Sequence, residues 1–218
     1  MLRVARALYI RRRSDGWVGL CAIAIVVGCM VIVRDGGVSG VEAAVFHAVN
    51  DLPGLLGGPM FIFQMVGVLA VAPMAAVVAL LLGRHRLALA LAALAPLKLL
   101  VEKGVIKALV ERQRPGTTVT DAVLRGDVPS EGLSFPSGHA IIAFALAVLI
   151  VGYVGWRWRL VAFAVAVLVG VSRVYLGAHL PLDVLAGAAA GVAIASVLNI
   201  ATGVPIRHAE AGIADRTQ

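Results

Sequence analysis

The chain has 218 residues, of which 61% are hydrophobic and 14% charged, and its mean hydropathy is +0.97. Soluble domains carry about 45–50% apolar and about 25% charged residues, so this composition excludes an ordinary soluble domain and points to one membrane-embedded unit of several helices. The formal net charge is +7 but only 6% of residues are aromatic; base-stacking platforms are scarce, no nucleic-acid partner is expected, and the cations read first as a topology signal.

The N-terminus is basic (Arg3, Arg6, Arg11, Arg12, Arg13) and runs into the apolar stretch Trp17–Val33. No small-x-small cleavage site ends that stretch, so it is expected to be retained as a first span rather than removed as a signal peptide. Cys21 and Cys29 both lie in it. Eight residues of helix rise about 12 Å and a disulfide needs Cα atoms within about 7 Å, so the two cannot pair. Five further apolar segments follow: Pro59–Leu82, Leu87–Ile106, Ala140–Tyr153, Leu160–Leu176 and Leu182–Thr202. Each is near the roughly 17–25 residues of a spanning helix, the fourth being the shortest. Pro73 and Pro96 are expected to kink the second and third.

Charge alternates between the connections. Arg84, Arg86, Arg157, Arg159, Arg207 and Arg216 fall on the same side as the basic N-terminus. The positive-inside rule then places both termini in the cytoplasm, with residues 1–16 and 204–218 as cytoplasmic tails. Trp156 and Trp158 flank the arginines as an interfacial belt. The opposite face receives the connection from Lys107 to Pro136, about thirty residues long, and loops beyond about 12–15 residues without structure of their own are usually functional or disordered.

Three polar clusters stand at span boundaries on that face. Lys107 is followed after six residues by Arg114-Pro115. Pro136-Ser137-Gly138-His139 opens the fourth span, with Ser137 suited to cap it and His139 placed where helix N-termini attract anions. Ser172-Arg173 precedes His179 and Asp183 between the fifth and sixth spans. Singly, each has an ordinary explanation as a snorkelling cation or a helix cap. Together they bring two histidines, three cations, a carboxylate and a Ser-Gly nest to one boundary, where ionisable residues are costly and often functional. The cations would repel a metal ion, so no metal and no cofactor are expected. Cations and backbone donors suit a phosphoryl group, whose transition state spreads negative charge over its oxygens.

Lys-x6-Arg-Pro, Pro-Ser-Gly-His and Ser-Arg-x5-His-x3-Asp, in this order, resemble the three signature motifs of the type 2 phosphatidic acid phosphatase (PAP2) superfamily, and the motif region covers residues 107–183. The resemblance implies an all-α integral membrane protein of about six transmembrane helices, forming one phosphatase domain over residues 1–218. It implies that His179 is the nucleophile forming a phosphohistidine, that Asp183 orients it, and that His139 is the acid–base partner. Lys107, Arg114, Ser137, Gly138 and Arg173 would bind the phosphate. The implied substrate is a membrane lipid phosphate or diphosphate: a polyprenyl species such as undecaprenyl diphosphate, phosphatidylglycerophosphate or phosphatidic acid. The implied location is the plasma membrane, with the site on its outer face. Phosphotransfer to an acceptor hydroxyl, or lipid-phosphate binding and flipping without turnover, are the competing readings; a vanadate-dependent haloperoxidase, which the resemblance also covers, is disfavoured by the six spans.

Other polar residues carry smaller expectations. Lys98 and Glu102, four apart, are expected to pair on one helix face, and Lys103 is left outside the site. Arg112 reads as a solvated loop charge, and Glu42, His47 and Asp51 as an ordinary polar loop. His85 and His208 fall on the cytoplasmic side, away from catalysis.

Overall fold

The structure is a computed structural model that describes residues 8–126 and 128–206. Arg3, Arg6, Asp127, Arg207, His208 and Arg216, and with them residues 1–7 and 207–218 of the two predicted tails, lie outside the described residues. The architecture is all-α. In order come α1 (Arg13–Val33), α2 (Gly40–Asn50), α3 (Gly57–Met65), α4 (Val71–Leu81) and α5 (His85–Leu99). A π-helical segment (Leu100–Ile106) continues α5 into the short α6 (Lys107–Leu109). The single turn α7 (Pro115–Thr118) precedes α8 (Gly138–Ile150), α9 (Trp156–Tyr175) and α10 (Pro181–Thr202).

α1, α9 and α10 are each long and apolar enough to cross a membrane, while α3, α4 and α8 are shorter apolar helices. Counting α3 with α4 as one crossing, and α5 with its π-helical continuation as another, gives the expected six. Trp17, Ile62, Leu81 and Trp158 project outward from this bundle, apolar surface that a bilayer would cover.

α10 is the centre of the bundle and packs on α1, α8 and α5. Its close approach to α8 rests on small residues, as in membrane helix pairs generally. A Cβ on Gly187 would come within 2.5 Å of the Ser137 carbonyl oxygen, and one on Gly191 would strike the backbone of Ile141 and Ala145. The first turn of α8 is thereby seated against the first turns of α10, and two of the sequence clusters meet.

The second apolar segment differs from expectation. It is not one helix kinked at Pro73; Pro73 sits in the first turn of α4, where a proline costs little. The interruption falls at residues 66–70 instead. The reason is packing: a side chain on Gly67 would be 2.7 Å from His139 Cβ and 2.8 Å from the His139 carbonyl oxygen, so the chain bends around α8 with a bare backbone. The stretch carrying Glu42, His47 and Asp51, expected as an ordinary polar loop, contains α2, whose N-cap Ser39 accepts the Glu42 N–H at 3.2 Å.

The long connection after Lys107, expected to be functional or disordered, is ordered by contacts. Gln113 and Leu133 form an isolated bridge, and the Ser134 hydroxyl donates to the Gln113 carbonyl at 2.9 Å. Buried Asn50 donates to the Val123 and Tyr175 carbonyls and accepts the Val123 N–H, tying this connection to α2 and α9. Arg125 stacks over the Tyr175 ring and donates to the Leu52 carbonyl.

At the other end of the bundle, strands β1 (Tyr9–Ile10) and β2 (Val204–Pro205) pair antiparallel, Tyr9 opposite Pro205. Arg86 lies over the Tyr9 ring and donates to the Thr202 carbonyl, while Arg84 donates to the Tyr153 carbonyl. Arg84 and Arg86, two of the arginines grouped by sequence on one side, thus lie beside this clasp.

Candidate active site

Two backbone interruptions and three helix ends enclose a cavity of about 310 Å³ at the end of the bundle opposite the clasp. Lys107, Arg114, Gly138, His139, Arg173 and His179 line it, together with Gly67, Val68, Leu69, Lys98 and Glu102. Six of the eight residues singled out from sequence therefore share one wall-to-wall space. The other two, Ser137 and Asp183, are fully buried behind it.

Each side chain is delivered by a local device. The π-helical segment shifts the register ahead of Lys107, as π-bulges often do at functional sites. Arg114, just before the N1 proline of α7, donates to the Ala178 carbonyl at 2.9 Å, which joins the first cluster to the third. Arg173 ends α9 and pairs with the side-chain carbonyl of buried Gln64 on α3. His179 leaves the turn after α9, where its N–H donates to the Arg173 carbonyl at 3.2 Å.

Asp183, in the first turn of α10, accepts the Leu180 N–H on Oδ2 at 2.9 Å, half of a capping box. The same oxygen faces His179 Nδ1 at 3.6 Å, beyond a formed hydrogen bond but within a small movement of one. Catalytic hydrogen bonds are often long without substrate. With Nδ1 turned to the carboxylate, Nε2 is the ring nitrogen left for the cavity. Burial pushes the His179 imidazole down to about 4, with Arg173 and Arg114 adding to the effect and Asp183 opposing it. The ring is neutral at pH 7, the state in which a histidine nitrogen has a free lone pair. Burial also lowers Arg114 from its ordinary value, against the pull of Asp183 and Glu102; a guanidinium remains charged all the same.

Ser137 does not cap α8, contrary to its sequence reading. Its hydroxyl is buried without a partner, and its backbone N–H donates to the Asp183 carbonyl at 2.9 Å. The serine is small enough for the α8–α10 contact, and its main chain stitches the second cluster to the third. Gly138 has a packing reason as well: a Cβ there would be 2.8 Å from Lys98 Nζ and 2.9 Å from Glu102 Oε2.

Lys98 and Glu102 do pair, as expected from their spacing, but the pair is part of the cavity wall. Glu102 Oε1 also holds Lys107 Nζ at 2.9 Å. Lys103 is exposed outside the cavity. His47 and Asp51 form an exposed pair at 3.2 Å, an ordinary surface feature. Two readings are overturned. Arg112 is not a solvated loop charge: it is 0% exposed and bonded to both Glu42 and Asp183. Glu42, read as part of a polar loop, is buried with it. Gln64 was not singled out at all; a lone glutamine in an apolar run was the available signal.

The fold resembles two solved structures. One is LpxE of Aquifex aeolicus, at 24% identity and a TM-score of 0.60, covering 71% of this chain and 92% of that one. The other is a transmembrane PAP2-type phosphatidylglycerolphosphate phosphatase of Bacillus subtilis, at 19% identity and 0.64, covering 84% and 94%. Among curated relatives, the chain is 48% identical over 62 residues to bacitracin transport permease protein BcrC of Bacillus licheniformis, 27% of this chain and 29% of that protein. It is 43% identical over 84 residues to an undecaprenyl-diphosphatase of Sulfolobus acidocaldarius, 38% and 40% of the two chains. It is 35% identical over 98 residues to phosphatidylglycerophosphatase B of Bacillus subtilis, 40% and 45%. These matches span less than half the length of each relative. The PAP2 superfamily model matches residues 85–203, which takes in every residue lining the cavity except Gly67, Val68 and Leu69. By the motifs, the cavity they build and this match over more than half its length, the chain belongs to the PAP2 superfamily.

Proposed function

We propose that this chain is a membrane lipid phosphatase working through a phosphohistidine on His179. One observation carries the reading: His179, His139 and the cations Lys107, Arg114 and Arg173 face the same cavity. His179 Nε2 attacks phosphorus and the bond from phosphorus to the leaving oxygen breaks. His139 gives that oxygen its proton, and the lipid alcohol, or lipid monophosphate from a diphosphate, departs. His139 then takes a proton from water as the water oxygen attacks the phosphohistidine, releasing inorganic phosphate and neutral His179. Asp183 holds the ring tautomer and stabilises its positive charge in the intermediate. Lys107, Arg114, Arg173 and the backbone around Gly138 neutralise the phosphoryl oxygens, so the chemistry calls for no metal ion.

The substrate class is a lipid carrying a terminal phosphate or diphosphate. The names of the relatives, an undecaprenyl-diphosphatase and a phosphatidylglycerophosphatase among them, support a polyprenyl or glycerolipid phosphate. We read residues 1–218 as one domain of the plasma membrane, with both termini cytoplasmic and the cavity on the outer face. Arg84 and Arg86 beside the clasp, and Trp156 and Trp158 exposed near that end, support this orientation.

The test is phosphate release from a panel of lipid phosphates by the purified protein in detergent, with and without a chelator. Release that survives chelation and disappears, with the phosphoenzyme, in His179→Ala is the expected result. Substantial turnover by His179→Ala would remove its role as nucleophile. A phosphorylated acceptor in place of free phosphate would make the enzyme a transferase. A cysteine introduced at Asp121 should be labelled from outside intact cells; labelling only after lysis would reverse the orientation.

A further inference from the structure

Behind the cavity lies a buried ionic cluster that the reaction as written does not use. Arg112, 0% exposed, donates through Nη1 to Asp183 Oδ1 at 2.9 Å and to Glu42 Oε1 at 3.0 Å. Its Nη2 donates to Glu42 Oε2 at 2.5 Å and to the Gly37 carbonyl at 3.1 Å. Glu42 Oε1 also accepts the Leu182 N–H at 3.0 Å, inside the first turn of α10. Three elements far apart in sequence, α2, the loop before α7 and α10, are thus locked around one guanidinium.

Stability alone is a poor reason for such a cluster. Burying two carboxylates and an arginine carries a desolvation cost, and well-packed apolar replacements are often as stable. The geometry supplies another reason. The Asp183 carboxylate has both oxygens fixed, Oδ1 by Arg112 and Oδ2 by the Leu180 N–H, and this fixed orientation aims Oδ2 at His179 Nδ1. The charges matter as much as the aim. Arg112 alone would neutralise Asp183 and spoil its interaction with a cationic ring. Glu42 takes both ends of the guanidinium fork, so the cluster keeps one net negative charge, behind His179.

We propose that Glu42 and Arg112 are positioning residues that orient Asp183 and set its charge towards His179. The inference rests on His179 being the nucleophile. Misplacing a reacting group by about 1 Å can cost on the order of 10²-fold in rate, and the loss should appear in kcat because neither residue lines the cavity. Arg112→Lys keeps the charge without the fork, and Glu42→Gln keeps the shape without the charge. Each should lower the rate of phosphoenzyme formation about 10- to 100-fold with KM within about twofold of wild type. In an Asp183→Asn background neither should lower it further, because the group they act through is already lost.

The acidic limb of kcat/KM gives a readout that a merely structural role would not move in this pattern. Glu42→Gln leaves Arg112 less neutralised, so the limb should shift to lower pH. Arg112→Gln uncovers the carboxylates, so it should shift to higher pH. The other charged or titratable groups around His179, namely Arg173, Arg114 and His139 with Lys98, Glu102 and Lys107 of the same cavity, are the same in every variant. If Arg112→Gln fails to fold, Glu42→Gln and Arg112→Lys decide the matter. Rates within about twofold of wild type, or losses that persist undiminished in Asp183→Asn, would overturn the inference. Absence of any phosphohistidine at position 179 in the wild type would instead overturn the function on which it rests.

Discussion

The bend at Gly67 offers the sharpest test of how the scaffold places its chemistry. In Gly67→Ala the new Cβ would be 2.7 Å from His139 Cβ, 2.8 Å from its carbonyl oxygen and 2.9 Å from its Cα. These neighbours are backbone and the root of a side chain, so no rotamer change relieves the clash. Ordinary contact begins near 3.4 Å, so the break after α3 and the first turn of α8 must part by about 0.7 Å, the scale at which overpacking costs about 1–3 kcal/mol. In the proposed reaction a shift of that size would move His139 against a phosphate held by the cations opposite, and a rate loss of about 10- to 100-fold is the expected outcome. The assay is phosphate release by detergent-purified protein, with thermal unfolding alongside. Gly58→Ala is the control: it lies in α3, and nothing comes within 4 Å of its added Cβ, so activity and unfolding temperature should stay near wild type. A Gly67→Ala enzyme with wild-type kcat would refute the argument that this contact sets the position of His139.

Gln64→Leu removes the acceptor that holds Arg173, and the buried guanidinium loses its anchor. Stability should fall by about 1–3 kcal/mol, and KM for lipid phosphate should rise; an unchanged KM would mean that Arg173 needs no such support. Glu102→Gln releases Lys107 from a competing carboxylate. Inorganic phosphate or vanadate should then inhibit more strongly, and identical inhibition constants would deny that Glu102 competes with the bound anion. The His179 imidazole is held down to about 4 by burial, and as the proposed nucleophile it must be neutral to react. Activity should therefore persist as pH falls through 6.5 and be lost only towards pH 4; an acidic limb of kcat/KM near 6.5 would show a ring with its ordinary proton affinity.

The parts of this molecule that were legible in its sequence are those with local or periodic signals. Six apolar segments declared the bundle, and the three motifs between Lys107 and Asp183 gave the candidate site residues in order. The i,i+4 spacing of Lys98 and Glu102 gave their pairing. The errors share one cause: the deciding partner was distant in the chain. Arg112 and Glu42 are 70 positions apart, and nothing near either distinguishes a buried charge from a solvated one. Pro73 drew attention as the helix breaker because proline has a known local effect. The true break at Gly67 answers to His139, 72 positions away, through a contact that only the folded bundle makes.

The small β1–β2 clasp has a consequence of parity. Tyr9 and Pro205 are opposite each other on one side of the bundle, so the chain between them must cross the bilayer an even number of times. Five or seven crossings would pull the two strands to opposite surfaces and leave their ladder hydrogen bonds unmade. A reporter fused before Tyr9 and another fused after Ile206 must therefore give the same answer, whichever compartment that is. The connections that carry Arg114 and His179 then answer together from the other side.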